Sequence, residues 1–254
     1  MKHAVAAIIA LAGIMSLACG DTVGYWKFDE GSGTTIVDTT GLNANGTLDE
    51  WNGSAWVTQT NPTWVQGASG WAVGFNGTNQ GAIVPDSSAL DVTTAVTLEA
   101  IIKPSTFSGT GDIISKDSAY QLKLGGDLKS ITFLFRSGSS WYGGSVTLST
   151  ALSSDEWTHI AITYDSTLES NNIKVYVDYE LVSQKTVTGT INTTTSLLTF
   201  GAEQVGVEYY KGDIDAIRIS NVALSSSEFL PIPEPATLSL IAAGSLALLG
   251  CRKK

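Results

Sequence analysis

The sequence predicts an all-β domain, either a sandwich or a barrel, and three observations support this prediction. Short runs rich in Val, Ile, Thr, Tyr, Phe and Trp recur along the chain, separated by clusters of Gly, Asn, Asp and Ser. Within residues 172–182, Ile173, Val175 and Val177 alternate with polar or aromatic residues, as expected of a half-buried strand. No stretch before residue 231 keeps a helical period, apart from a single turn at 225–230.

The predicted strands follow one another along the chain with turn residues between them, which is typical of sandwiches and barrels. In chain order they are residues 23–28, 71–75, 81–85, 96–104, 112–116, 119–124, 130–136, 145–149, 157–165, 172–182, 196–202 and 211–220.

The N-terminus is predicted to be a secretory signal peptide with a helical apolar segment, covering residues 1–20. A short basic start precedes an almost wholly apolar run, and small residues follow. Cleavage after Ala18 or after Gly20 fits this pattern. A lipoprotein acylated at Cys19 is the alternative, although position 16 is serine where an aliphatic residue is usual.

The C-terminus combines three features in a fixed order. Pro233, Glu234 and Pro235 form a Pro-Glu-Pro triplet, residues 236–251 are uncharged and mostly apolar, and residues 252–254 are basic. This order resembles the PEP-CTERM sorting tail of Gram-negative bacteria. The resemblance implies a hydrophobic helix that anchors the chain transiently in the membrane, cleavage near the triplet by the peptidase exosortase, and release toward the cell surface. An ordinary membrane anchor is the alternative.

The chain therefore divides into a signal peptide at 1–20, one folded domain at 21–230 and a sorting segment at 231–254. The folded domain contains no cysteine, so it has no internal disulfide. The net charge is -10, and four of the cations lie in the terminal segments. Such an acidic surface argues against nucleic acid as a partner and is compatible with neutral glycans or with calcium.

The folded part resembles LamG-like jelly-roll domains of the concanavalin A-like lectin/glucanase fold. The resemblance rests on an ordered set of segments over residues 23 to 229: GYWKFDEGSGTTIVDTTG, GWAVGFNGTNQGAIVP, VTLEAIIKP, DEWTHIAITYD, KVYVDYELV and YYKGDIDAIRISNVALSSSEF. It implies a two-sheet antiparallel jelly-roll sandwich. The sequence departs from the family at Asp178 and Tyr179, where Asp-Gly is usual. Because tyrosine tolerates positive φ poorly, we expect a turn other than type I′ there.

The same fold also hosts glycoside hydrolases and polysaccharide lyases, so a divergent glycan-active enzyme is the alternative function. Asp213 and Asp215 lie two residues apart on a strand, but the remaining position of the glucanase pattern is Arg218 rather than an acid. His159 is the one histidine of the domain and is predicted to be structural. We therefore expect no catalysis.

A structural calcium ion is expected from loop acids and from the resemblance. Asp29, Asp38, Asp213 and Asp215 are the candidate ligands, since hard cations prefer oxygen ligands from loops. First and last strands commonly pair in sandwiches, which would bring these segments together.

Aromatic residues in Gly- and Ser-rich segments are candidates for stacking on sugar rings. Trp141, Tyr142, Tyr209 and Tyr210 are the candidates, with the first two predicted as an exposed pair. The expected function is that of an exported, non-catalytic protein of the cell surface or matrix of a Gram-negative bacterium. It would bind surface or extracellular polysaccharide or serve a structural or adhesive role.

Overall fold

The computed structural model describes residues 22–154 and 156–232, and these form the predicted jelly-roll sandwich of two antiparallel sheets. The predicted signal peptide, the Pro-Glu-Pro triplet and the two terminal hydrophobic helices lie outside the described residues. Within the described ranges, no helix has the length and apolar character needed to cross a membrane.

Seventeen strands and two short 3-10 turns make up the described chain. They are β1 (Thr22–Trp26), β2 (Thr35–Ile36), β3 (Gly46–Trp51), β4 (Trp56–Thr58), β5 (Thr63–Gln66), β6 (Trp71–Asn76), β7 (Gln80–Val84), a turn at Ser88–Leu90, β8 (Ala95–Pro104), β9 (Thr110–Lys116), β10 (Tyr120–Gly125), β11 (Ser130–Ser137), β12 (Ser140–Thr147), β13 (Thr158–Asp165), β14 (Ile173–Val177), β15 (Glu180–Lys185), β16 (Leu198–Phe200), β17 (Lys211–Ser220) and a turn at Ser226–Glu228.

The two sheets differ in their strand order. Sheet A runs β15-β14-β13-β8-β17-β6-β5, with β1 added beside β17. Sheet B runs β12-β11-β10-β9-β16-β7-β3-β2, with β4 beside β3. The predicted pairing of the first and last strands is confirmed, because β1 pairs with β17 from Thr22 opposite Ser220 to Trp26 opposite Ile217.

The core lies between the sheets and is filled by alternate residues of each strand. Trp26, Phe28 and Phe200 lie at its centre without exposed surface, and the rings of Trp26 and Phe200 meet edge to face at 5.0 Å. Each such side chain contributes about 1.5–3 kcal/mol through burial. The alternation predicted for residues 172–182 is confirmed, since Ile173 and Val175 belong to this core.

The hairpin between β14 and β15 contradicts the turn expected from the sequence. Asp178 has φ 46° and Tyr179 has φ 71°, so both central residues are left-handed as in a type I′ turn. The turn keeps this conformation because tertiary contacts hold it. The Asp178 carboxylate accepts the His159 amide at 2.9 Å, and the Tyr179 ring stacks on the His159 ring at 5.0 Å.

Candidate functional site

The outer face of sheet B, which points away from sheet A, carries a row of polar side chains that the strand register brings together. Arg136 on β11 lies opposite Trp141 on β12, and Thr132 lies opposite Ser145, with their hydroxyls 2.7 Å apart. Farther across the sheet, Lys123 on β10 lies opposite Thr132. Because alternate residues of a strand share a face, these side chains all lie on the outer face of the sheet, although Lys123 is itself buried.

Trp141 is the exposed aromatic residue of this surface. Its side chain retains 41% of its accessible area, and the Arg136 guanidinium lies 5.8 Å from the ring centroid. A cation over an aromatic face holds the ring in place at little cost, so the ring presents a preformed flat surface.

Tyr142 does not form an exposed pair with Trp141. The two residues are neighbours on β12, a strand rather than a loop, and successive side chains of a strand point to opposite faces. Tyr142 therefore turns inward, where its ring stacks on Phe135 at 5.7 Å.

Tyr209 and Tyr210 also point to opposite sides of the backbone, as successive residues of an extended chain do. Tyr209 is half-buried, contacts Trp56 edge to face at 6.5 Å and donates its hydroxyl to the Gly206 carbonyl. Tyr210 has no exposed surface, and burial raises the pKa of its hydroxyl well above the usual range. It is a core residue and offers no surface to a sugar.

The loop between β16 and β17, residues 201–210, lies over the outer face of sheet B. Thr199 on β16 donates its hydroxyl to the Ala202 carbonyl, and the Asp112 amide on β9 donates to the Glu208 carbonyl at 2.8 Å. On its other side, the loop accepts the indole N–H of Trp56 at the Gln204 carbonyl. The polar residues of β9, β10 and β16 beneath it are buried as a result.

Three carboxylates meet where this loop covers the sheet, one from β9 and two from the loop itself. Asp112, Glu203 and Glu208 each offer an oxygen within 4.8 Å of the others, the one such acidic group found in residues 22–154 and 156–232. Lys123 forms an ion pair with Glu208, and its Nζ lies 3.4 Å from Asp112 Oδ2. Neither oxygen of Asp112, which is fully buried, has a hydrogen-bond partner. We call these four residues the acidic cluster.

The cluster holds more negative charge than Lys123 balances, and the pKa values of both Asp112 and Lys123 are raised. Burial raises the pKa of Asp112 to about 8, and Glu208 and Glu203 add to this while Lys123 opposes it. Burial would lower the pKa of Lys123, but Asp112 and Glu208 outweigh it and the pKa of Lys123 is raised. The cluster can therefore bind a proton near neutral pH. Sequence reasoning missed it because its members lie up to 96 positions apart (208 − 112) and no motif connects them.

The four aspartates predicted as calcium ligands do not form one site. Asp38 is saturated with donors, since its two oxygens accept bonds from Tyr25, Thr40 and Asn43, and these bonds hold its pKa below the usual range although burial acts the other way. Asp213 is paired with Lys103 at 3.2 Å.

Asp29 and Asp215 both face the loop between β5 and β6. Asp29 accepts the Trp71 amide at 3.1 Å, and Asp215 accepts the Ala68 amide at 2.9 Å. A bulge in β17 between Ile214 and Ala216 places Asp215 toward this loop. Burial raises the pKa of Asp215 to about 6, and the Asp29 charge contributes to the rise.

The outer face of sheet A carries a different polar group, which is buried and paired. Glu99 lies opposite Arg218 in the sheet, and its carboxylate accepts the Arg218 Nε–H at 2.5 Å. The same carboxylate lies 3.1 Å from His159 Nε2 and accepts the Leu230 amide at 2.7 Å. His159 has no exposed surface, in keeping with a structural role.

Comparison with known proteins identifies two regions of the chain. The family described as the concanavalin A-like lectin/glucanases superfamily matches residues 75–229, and the PEP-CTERM protein-sorting motif matches residues 231–254. A comparison with curated proteins gives no match.

Solved structures with the same fold include a domain in complex with a sugar and the binding domains of two other proteins. Domain 4 of AbnA, a GH43 extracellular arabinanase from Geobacillus stearothermophilus in complex with arabinotriose, is 21% identical, with a TM-score of 0.62 over 82% of this chain and 96% of that one. The binding domain of Paraclostridial Mosquitocidal Protein 1 is 16% identical (TM-score 0.63; 82% of this chain, 51% of that one). The Botulinum neurotoxin serotype G binding domain is 13% identical (TM-score 0.62; 88% and 51%). The chain thus spans about half of each toxin structure. At these identities the likeness concerns the fold alone.

Proposed function

Since the chain belongs to the concanavalin A-like lectin/glucanase superfamily and ends in a PEP-CTERM sorting motif, we propose that it is an exported surface protein that binds carbohydrate without cleaving it. The sorting motif implies export and processing by an exosortase. The Gram-negative location stays a prediction. The binding role would make the domain an adhesive component of the cell surface or matrix.

The observation that carries the proposal is the exposed Trp141 ring on the polar outer face of sheet B. A sugar ring stacks its apolar face on an aromatic ring while neighbouring polar groups bind its hydroxyls. Arg136 supplies such a group beside Trp141, and Thr132 and Ser145 supply others four residues farther along β11 and β12 on the same face. The excess of acidic residues in the chain favours neutral over anionic glycans.

The alternative of a divergent glycan-active enzyme draws support from the acidic cluster. A carboxyl with a raised pKa beside other carboxylates is the arrangement that acid–base hydrolysis requires. Against it, Asp112 is fully buried beneath the β16–β17 loop, and Lys123 lies between the carboxylates. A substrate would have to displace that loop to reach the acid.

The proposal also includes one structural calcium ion at Asp29 and Asp215. These are the two predicted ligands that face the same loop, and their mutual repulsion favours a cation between the segments that carry them.

The binding proposal is tested on an array of neutral and anionic glycans, comparing wild type with Trp141→Ala. Trp71→Ala is the matched control, because Trp71 is similarly exposed (45%) but lies on sheet A. Loss of the Trp141 ring should weaken binding roughly three- to tenfold, from a stacking energy of about 0.5–1.5 kcal/mol. Trp71→Ala should bind like wild type.

Three outcomes would contradict the proposal. The first is that wild type binds no glycan, and the second is that Trp141→Ala binds as well as wild type. The third is that wild type cleaves bound glycans and Asp112→Asn leaves them intact. The last result would establish the enzymatic alternative.

A further inference from the structure

The last described residues of the chain, 224–232, cross the outer face of sheet A, and we call them the C-terminal strap. Phe229 packs against Tyr176 and Ala161, and Leu230 packs against Ile101 and Ala216. These contacts bury Phe229 and Leu230 almost completely. The strap is therefore a folded part of the domain, and its last two residues are the first two of the stretch that matches the sorting motif.

Side chains, rather than a neighbouring strand, hold the backbone of the strap. The Glu228 carbonyl accepts the Arg218 Nη2–H at 2.7 Å, and the Leu230 amide donates to Glu99 at 2.7 Å. Farther on, the Tyr179 hydroxyl donates to the Leu230 carbonyl at 3.2 Å and accepts the Ile232 amide at 2.6 Å. One phenolic oxygen thus binds two backbone groups of the strap.

Tyr179 occupies an unfavourable backbone position to make these contacts. Its φ of 71° is one that glycine adopts freely and that a side chain with a Cβ adopts at an energetic cost. Such residues persist where surrounding contacts over-determine them, and their presence is evidence that the side chain has a role. The contacts of Tyr179 are the His159 ring and the strap.

We propose that the outer face of sheet A is a receptor for the chain's own C-terminal strap and that Tyr179 is its clamp. The clamp binds Ile232, the residue directly before the Pro-Glu-Pro triplet, and so fixes the C-terminal boundary of the mature domain. Peptidases then reach the chain only beyond Ile232, and the strap stays with the domain after processing. This inference does not depend on carbohydrate binding.

Tyr179→Phe tests the clamp, since it removes the hydroxyl and keeps the ring and the turn. The full chain in detergent is treated with a broad-specificity protease, the C-terminal boundary is mapped by mass, and hydrogen exchange is followed at the Ile232 amide. In wild type, trimming should stop beyond Ile232. In Tyr179→Phe, trimming should enter the strap, and exchange of the Ile232 amide should be roughly five- to tenfold faster, as expected for one lost hydrogen bond.

Tyr164→Phe is the matched control. Tyr164 is also a sheet A tyrosine whose hydroxyl donates to a backbone carbonyl, that of Gly189, but it lies on the inner face of the sheet. This variant should keep the wild-type boundary. Tyr179→Gly relieves the backbone strain and removes the clamp, so it should expose the strap at least as much as Tyr179→Phe.

The proposal is overturned if Tyr179→Phe leaves both the boundary and the Ile232 exchange rate unchanged. It is also overturned if Tyr164→Phe exposes the strap equally, because the effect would then be global. Protection of the strap in Tyr179→Gly equal to that in wild type would show that the turn, and not the tyrosine, holds it.

Discussion

The two outer faces of the sandwich both bury carboxylates beneath a covering segment, but only one of them satisfies their hydrogen bonds. On sheet A, Glu99 is contacted by Arg218, His159 and the Leu230 amide under the strap. On sheet B, Asp112 lies under the β16–β17 loop with neither oxygen hydrogen-bonded. A buried carboxylate whose oxygens are all hydrogen-bonded favours one structure, whereas one without hydrogen bonds is destabilised in its charged form and favours protonation. The Glu99 carboxylate on sheet A is therefore fully paired, although Nδ1 of the neighbouring His159 has no hydrogen-bond partner, whereas the Asp112 carboxyl on sheet B can still take up a proton.

Removing the buried acid of sheet A should have the largest effect. Glu99→Ala leaves Arg218 and the Leu230 amide without their partner, which should lower the free energy of unfolding by about 3–5 kcal/mol. Glu208→Ala is the control on sheet B, where the side chain is 38% exposed and the loss should be about 1 kcal/mol or less. Urea titration of both variants measures the difference. If both variants lost the same free energy of unfolding, the proposed difference between the two outer faces would be wrong.

Calcium should stabilise the domain by binding at Asp29 and Asp215, a place separate from both Glu99 and the acidic cluster. At a hundredfold excess over its dissociation constant, an ion that binds the native state alone adds about 2.7 kcal/mol, or about 5–10 °C in the melting midpoint of a domain of this size. Chelator-treated protein should show this rise on addition of calcium, and Asp215→Asn should not.

Glu203→Gln serves as the control for the calcium experiment, because it changes the acidic cluster of sheet B instead. The melting midpoint of this variant should rise on addition of calcium as much as that of wild type. If the calcium-dependent rise in melting midpoint persists in Asp215→Asn and is lost in Glu203→Gln, the ion binds at the acidic cluster instead.

The pH dependence of stability should report the unsatisfied acid of sheet B. Because folding raises the pKa of Asp112 to about 8, the native state binds its proton more tightly than the unfolded chain does. The resulting stability is fully present below pH 4 and is lost as the pH rises through 8. Asp215, with its pKa near 6, contributes in the same direction at lower pH. Asp38 acts oppositely, since folding lowers its pKa: it contributes stability above about pH 4, and this contribution is lost as the pH falls below that value.

Asp112→Asn isolates this contribution. Between pH 6.5 and 8.5, wild type should lose on the order of 2 kcal/mol in urea titrations, and the variant should lose much less. The same slope in both proteins would assign the pH dependence to other groups.

The sequence predicted the architecture well because strand alternation and turn residues are local signals. The alternation at Ile173 and Val175 was confirmed, as was the pairing of β1 with β17. The prediction of a turn other than type I′ at Tyr179 was wrong. The energetic cost of its positive φ is offset by contacts with His159 and with the strap, neither of which is close to it in sequence. The site was harder still to predict. Asp112, Lys123 and Glu208 meet only after β9, β10 and the β16–β17 loop are assembled, so no local pattern marks them.

The position of β17 has a consequence for how the chain folds. This strand lies at the middle of sheet A between β8 and β6, and β1 joins the sheet through it. It ends at Ser220 and is the last strand of the described residues. The first strand must therefore wait for the last one, a topology of high contact order that folds slowly. A chain that emerges from its N-terminus therefore cannot complete sheet A until β17 has followed, and β1 stays without its only strand partner in the described residues until then.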